Sequence, residues 1–173
     1  ASGHWGCLTS AAHPHRAQWP AADYIVAHGP LTHHERWEDR EGYSPASIAA
    51  QVAGLHAASA IATAAGDEAA ADRYARVARA WDASVEDLTV TVRENRFLSP
   101  GHYVRISRSG RPNESDYNND DLDVSFLELV RLGLRHPDEP LVRLTVAACD
   151  ARSATPLTPA PIAATTRSAN RCD

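Results

Sequence analysis

Lysine and methionine are both absent from the chain. All 17 basic residues are arginine, against 22 acidic ones, for a net charge of −5. A balance of that sign argues against a general binder of nucleic acid or of an anionic membrane surface. Without a Met even at position 1, the chain reads as a processed product or a fragment. Cysteine is scarce: Cys7, Cys149 and Cys172 are far apart and form no CxxC pair. They specify neither a zinc site nor a disulfide framework. No apolar run appears to the eye as a membrane span of about 20 residues, and no leader is visible. Localisation is therefore open between extracellular and cytoplasmic. Gly-rich phosphate loops are missing, and Ser44 sits in no nucleophile elbow. No cofactor is expected.

What is present is helical rhythm. Apolar residues make up 43% of the sequence, enough to build a core rather than a disordered chain. A short helical pattern runs from Ala21 to His28 and stops at Gly29-Pro30. Residues 31–43 read as a loop. Ser44 and Pro45 offer an N-cap and a first helical position. Ile48, Val52 and Leu55 then share a face until about Gly66. Asp67 is placed to cap the next helix, where Tyr74, Val77, Ala78, Trp81, Val85 and Leu88 recur at spacings of three and four. Thr89–Val92 reads as a frayed end or a short extended piece. His102–Ser107 alternates like a strand, and 108–121 is a polar loop. Helices are expected over 124–135, apolar on most sides and well buried, and over 140–150. The fold class is all-α with one short extended segment. The domain spans 20–150. The ends, 1–19 and 151–173, lack the pattern and read as disordered or as out-of-frame translation.

The loop concentrates the chemistry. "ERWEDRE" crowds Glu35, Glu38, Asp39 and Glu41 around Trp37. A carboxyl beside an indole is expected to be desolvated, which disfavours its charged form and raises its pKa. A carboxylic acid that keeps its proton near neutral pH is what cleavage of a glycosidic bond requires, because the leaving oxygen must be protonated. Composition alone favours a solvated acidic loop that caps the coming helix, with Trp37 as a core plug.

The stretch "ERWEDREGYSPASIAAQVAGL" resembles the acid-bearing segment of glucoamylases and glucodextranases, inverting α-glucan hydrolases built as (α/α)6 barrels. "AADYIVAHGP", "AWDASVEDLTVTV", "HYVRISRSGRPN" and "FLELVRLGLRHPDEPLV" are similar to the same family in the same order, over residues 20 to 147. The resemblance implies that Glu38 is the general acid and that Trp37 and Asp39 contact the sugar beside the scissile bond. It implies that Glu35 and Arg36 flank and organise the loop. Tyr43 is implied to pack first and line a subsite second. The implied partner is an α-glucan or α-glucoside, with α-1,4, α-1,6 and trehalose linkages all open. A second implied partner is the missing remainder of the barrel.

Two departures qualify this. His33-His34 stands where relatives carry Pro-Gln. No segment matches the sugar-clamping stretch or the general base, which in an inverting enzyme stands roughly 6.5–9.5 Å from the acid. The expectation is a fragment of an exo-acting hydrolase, inactive by itself; the alternative is a catalytically inactive remnant or a sugar-binding-only protein. His13, His15, His28, His33 and His34 match no metal-ligand spacing, so no metal site is expected among them. The acidic loop 113–123 carries oxygen ligands of the kind a structural calcium takes, without the framework of an EF-hand.

Overall fold

The structure is a computed structural model that describes residues 18–92, 101–113 and 122–154. Five α-helices and one two-stranded pair make up the described part: α1 (Gln18–His28), α2 (Pro45–Ala64), α3 (Glu68–Thr89), β1 (Val90–Thr91), β2 (His102–Tyr103), α4 (Glu128–Arg131) and α5 (Pro140–Ser153). A 3-10 turn, Val124–Leu127, leads directly into α4. The described part is thus all-α apart from one short β ladder.

The centre is a hairpin of α2 on α3. Ile48, Val52 and Leu55 of α2 are fully buried, as are Tyr74, Ala78 and Val85 of α3. Each side chain of leucine size contributes about 1.5–3 kcal/mol by leaving water. Pro45 opens α2 at its first position, as expected. Ser44 does not cap it: its side chain makes no capping bond, and the residue is buried. Its carbonyl instead accepts from the Ile48 N–H at 2.9 Å. Asp67 does cap α3, with Oδ1 accepting from the Ala70 N–H at 3.0 Å.

α2 carries no charged residue across its 20 positions, and its mean hydropathy of 1.2 makes it long and apolar enough to cross a membrane by length and composition. That corrects the reading of the sequence as free of such a run. The reason is compositional: alanine raises the hydropathy of a helix without looking like an apolar block. Here the helix buries Ile48, Val52, Leu55 and five other residues in the core.

α1 starts at Gln18, three residues before the expected Ala21. It is tied to α3 through Tyr74, whose hydroxyl donates to Asp23 Oδ1 at 2.8 Å, with Arg73 also paired to Asp23. The extended segments are shorter than expected. Only His102 and Tyr103 of the 102–107 stretch pair as a strand, antiparallel to Thr91 and Val90. The Tyr103 ring stacks on Phe126 with centroids 5.4 Å apart, and its hydroxyl donates to Glu86 at 2.6 Å. Arg135 reaches the same carboxylate and Asp82, both at 2.7 Å. This knot fastens the end of α3 to β2 and to the chain beyond α4.

The long helix expected over 124–135 is instead one 3-10 turn and one α turn. Gly133, at φ +77°, reverses the chain, and the Leu134 N–H donates back to the Leu129 carbonyl at 2.8 Å. Phe126 and Leu129 are buried as expected, but Val124 and Leu127 are exposed. α5 runs three residues past the expected Asp150. Cys149 is a buried free thiol on it; Cys7, Cys172 and residues 1–17 and 155–173 lie outside the described residues.

Candidate functional site

The loop between α1 and α2 is closed at its base. Thr32 and Gly42 exchange two backbone hydrogen bonds, of 2.9 and 2.8 Å. The next residue, Tyr43, exchanges two more with Ser107, of 2.7 and 2.9 Å. Glycine is required at position 42: φ is +151°, and a Cβ there would stand 2.5 Å from the Ser107 carbonyl oxygen. The close approach lays the loop against residues 106–108.

Inside the closed loop, residues 35–38 form a tight turn in which the Glu38 N–H donates to the Glu35 carbonyl at 2.8 Å. Glu38 is in the left-handed region, at φ +58°, and among the described residues no other non-glycine residue has a positive φ. An L-residue there is strained by about 1–2 kcal/mol, and strain of this kind gathers at functional sites. Glu38 opens onto a cleft of about 730 Å³, lined also by His34, Glu35, Arg36, Ser47, Glu128 and Arg131. A cleft of that size accepts a small-molecule ligand.

The desolvation expected of Glu38 is not found in this part of the molecule. Glu38 is exposed, and so is Trp37, at 61%. The indole is drawn away by a hydrogen bond from its Nε1–H to Asp123 Oδ2, at 3.0 Å, which leaves a broad face open. The buried carboxylate of the loop is Glu35, only 3% exposed. Glu35 and Asp39 both pair with Nη2 of Arg105. The Asp39 carboxyl is held below its ordinary value, first by hydrogen bonding with Glu35, against some desolvation, and then by the charges of Arg105 and Arg40.

Of the sequence-predicted residues, Glu38 and Arg36 line the cleft. Trp37 and Asp39 flank Glu38 in the turn without lining it. Tyr43 packs against the core and approaches Gly110, in keeping with packing as its first role. Arg36 bridges the loop to Glu128 of α4 at 3.1 Å, and Arg131 holds the same carboxylate at 2.7 Å. The Glu128 carboxyl lies below its ordinary value, chiefly because of Arg131. A carboxylate committed to two arginines is a poor proton acceptor. His33 pairs with Glu41 at 3.1 Å across the loop, and His34 reaches the cleft. No group of three or more His, Cys, Asp or Glu side chains is placed to hold a metal ion among the described residues. Most of the acidic loop 113–123 lies outside them.

Several site residues escaped the sequence. Arg105, Glu128 and Arg131 lie far along the chain, inside stretches that resemble the family but in which nothing marks them as site residues; only folding brings them to the loop. Ser47 and Ala50, on the first turns of α2, could have been placed by helical spacing from the buried Ile48.

The model of glycosyl hydrolases family 15 matches residues 9–153, and the chain belongs to that family. That family is one of glycoside hydrolases of the glucoamylase type. The chain is 40% identical over 144 residues to a glucoamylase of Clostridium sp. (strain G0005), covering 76% of this chain and 20% of that protein. The crystal structure of a bacterial glucoamylase complexed with acarbose matches with a TM-score of 0.72 at 36% identity, over 78% of this chain and 21% of that one. The chain therefore spans about a fifth of the length of these relatives, and its helices are part of an (α/α)6 barrel.

Proposed function

We propose that this chain is the acid-bearing part of an exo-acting α-glucan hydrolase that releases glucose from non-reducing ends with inversion. Glu38 protonates the departing glycosidic oxygen. Trp37 offers its open face to the sugar ring, and Asp39 accepts from a sugar hydroxyl. Arg36 braces the wall of the cleft through Glu128, and Tyr43 secures the loop from behind. The general base is supplied from outside this chain, since Glu128 is held by two arginines. By itself the chain hydrolyses α-glucans negligibly. The observation that carries the reading is the strained turn that sets Glu38, between an indole and a carboxylate, at a cleft of about 730 Å³. The glucoamylase structure, solved with acarbose, supports a carbohydrate ligand.

Glu38→Gln in the full-length enzyme tests it. Removal of a general acid lowers turnover by about 10²–10⁴-fold, measured as glucose release from maltose, isomaltose and trehalose. Near-normal turnover on the preferred sugar would exclude Glu38 as the acid.

A further inference from the structure

We propose that Arg105 is a positioning residue for the acid: one guanidinium nitrogen gathers the two carboxylates on either side of Glu38 and so sets the turn that carries it. This rests on the reading of Glu38 as the general acid. Glu35 precedes Glu38 by three residues and Asp39 follows it directly. Both pair with Nη2 of Arg105. The backbone bond from the Glu38 N–H to the Glu35 carbonyl closes the same turn at 2.8 Å. Fixing residues 35 and 39 leaves the intervening backbone few alternatives, and the left-handed Glu38 is the result.

Arg105 has the anchoring such a role needs. It follows the β ladder and precedes Ser107, which is bonded to Tyr43. The Val104 N–H donates to the Thr89 carbonyl at 2.8 Å, so the segment hangs from the last residue of α3. The side chain of Arg105 is 12% exposed and that of Glu35 only 1%. A pair so shielded is screened far less than a surface ion pair. A buried carboxylate also demands its partner, because removing one charge strands the other. The same contact occupies Oδ1 of Asp39 and favours the ionised form of its carboxyl.

Arg105→Met and Arg105→Lys in the full-length enzyme test this, with Glu38→Gln beside them. Methionine keeps an apolar stem and loses both pairings. Lysine keeps the charge on a shorter stem without the planar fork. Displacement of a catalytic group by about 1 Å lowers turnover by up to about 100-fold. The expected order of kcat is wild type, then Lys, then Met, with Met down by about 10–100-fold and KM within about threefold. In the folded Met variant the Asp39 carboxyl, followed by NMR, titrates nearer its ordinary value. A merely structural pair would lower Tm and leave kcat of the folded protein unchanged. If the Met variant does not fold, the Lys variant decides: a kcat about fivefold or more below wild type at unchanged KM supports the role. Wild-type kcat in the folded variants, with Glu38→Gln inactive, overturns this proposal alone. Activity retained by Glu38→Gln overturns the functional reading and this proposal with it.

Discussion

The left-handed backbone at Glu38 makes a prediction that separates strain from chemistry. Replacing Glu38 by alanine removes the carboxyl but keeps a Cβ, and so keeps the conflict between side chain and backbone at φ +58°. Replacing it by glycine removes both. The conformation disfavours an L-residue by about 1–2 kcal/mol. Glycine gives back about 0.5–1 kcal/mol through the greater freedom of its unfolded chain. The net expectation is that Glu38→Gly is more stable than Glu38→Ala by about 0.5–1 kcal/mol. Urea unfolding of the two variants, side by side under identical conditions, measures the difference directly. Because neither variant has the carboxyl, contacts of the side chain cancel, and only the backbone distinguishes them. Both are expected to be inactive in the intact enzyme. Stability regained at the expense of activity marks a residue held in place for function. Equal stability would limit the strain to about 0.5–1 kcal/mol; an advantage of about that size for alanine would show that the turn carries no strain and would remove the geometric support for Glu38.

Asp67→Ala is expected to lower stability by about 1 kcal/mol, within a range of about 0.5–2, because the Ala70 N–H loses its partner; thermal unfolding checks it. Glu86 predicts a pH dependence. Burial pushes its carboxyl up, but hydrogen bonds from Arg135 and Tyr103 outweigh this and hold it below its ordinary 4.5. A carboxylate with a depressed folded value stabilises the protein above its unfolded value and loses that contribution as pH falls through the folded one. Wild type is therefore expected to lose stability below 4.5. Glu86→Gln starts less stable at neutral pH, and its deficit shrinks on acidification. A deficit that stays constant with pH would refute the assignment.

The legible parts of the fold are those in which one periodic pattern decides the outcome. The face of Tyr74, Ala78 and Val85 could be read because α3 is apolar on one side and charged on the other. Asp67 could be read because a short acidic side chain before a helix has one good use. Where two local signals compete, the reading failed. Ser44 and Pro45 together announce a helix start, and proline takes its place, but the serine is buried and its side chain makes no capping bond. The run after Asp123 is apolar enough for a helix, yet Gly133 turns it after two short turns. At the site, the Trp-Glu-Asp order made Glu38 a candidate acid through a family resemblance, while its surroundings could not be read. Arg105 is one arginine of 17; it lies in a family-like stretch that does not name its partners, and its meaning comes from a pairing across 66 positions.

That distinction bears on how such an acid is made. A general acid needs two things from its protein, a fixed geometry and an environment that keeps its proton. The described residues provide the first in full: a closed loop base, a strained turn, and an arginine holding both flanks. They leave the enclosure open, since Glu38 and Trp37 are exposed. On the proposed reading, the enclosure comes from the other four-fifths of a relative's length. The geometry around Glu38 is then set within this chain, by contacts of the loop with Arg105, Asp123 and Glu128, and the exclusion of solvent from the cleft is left to the rest of the ring.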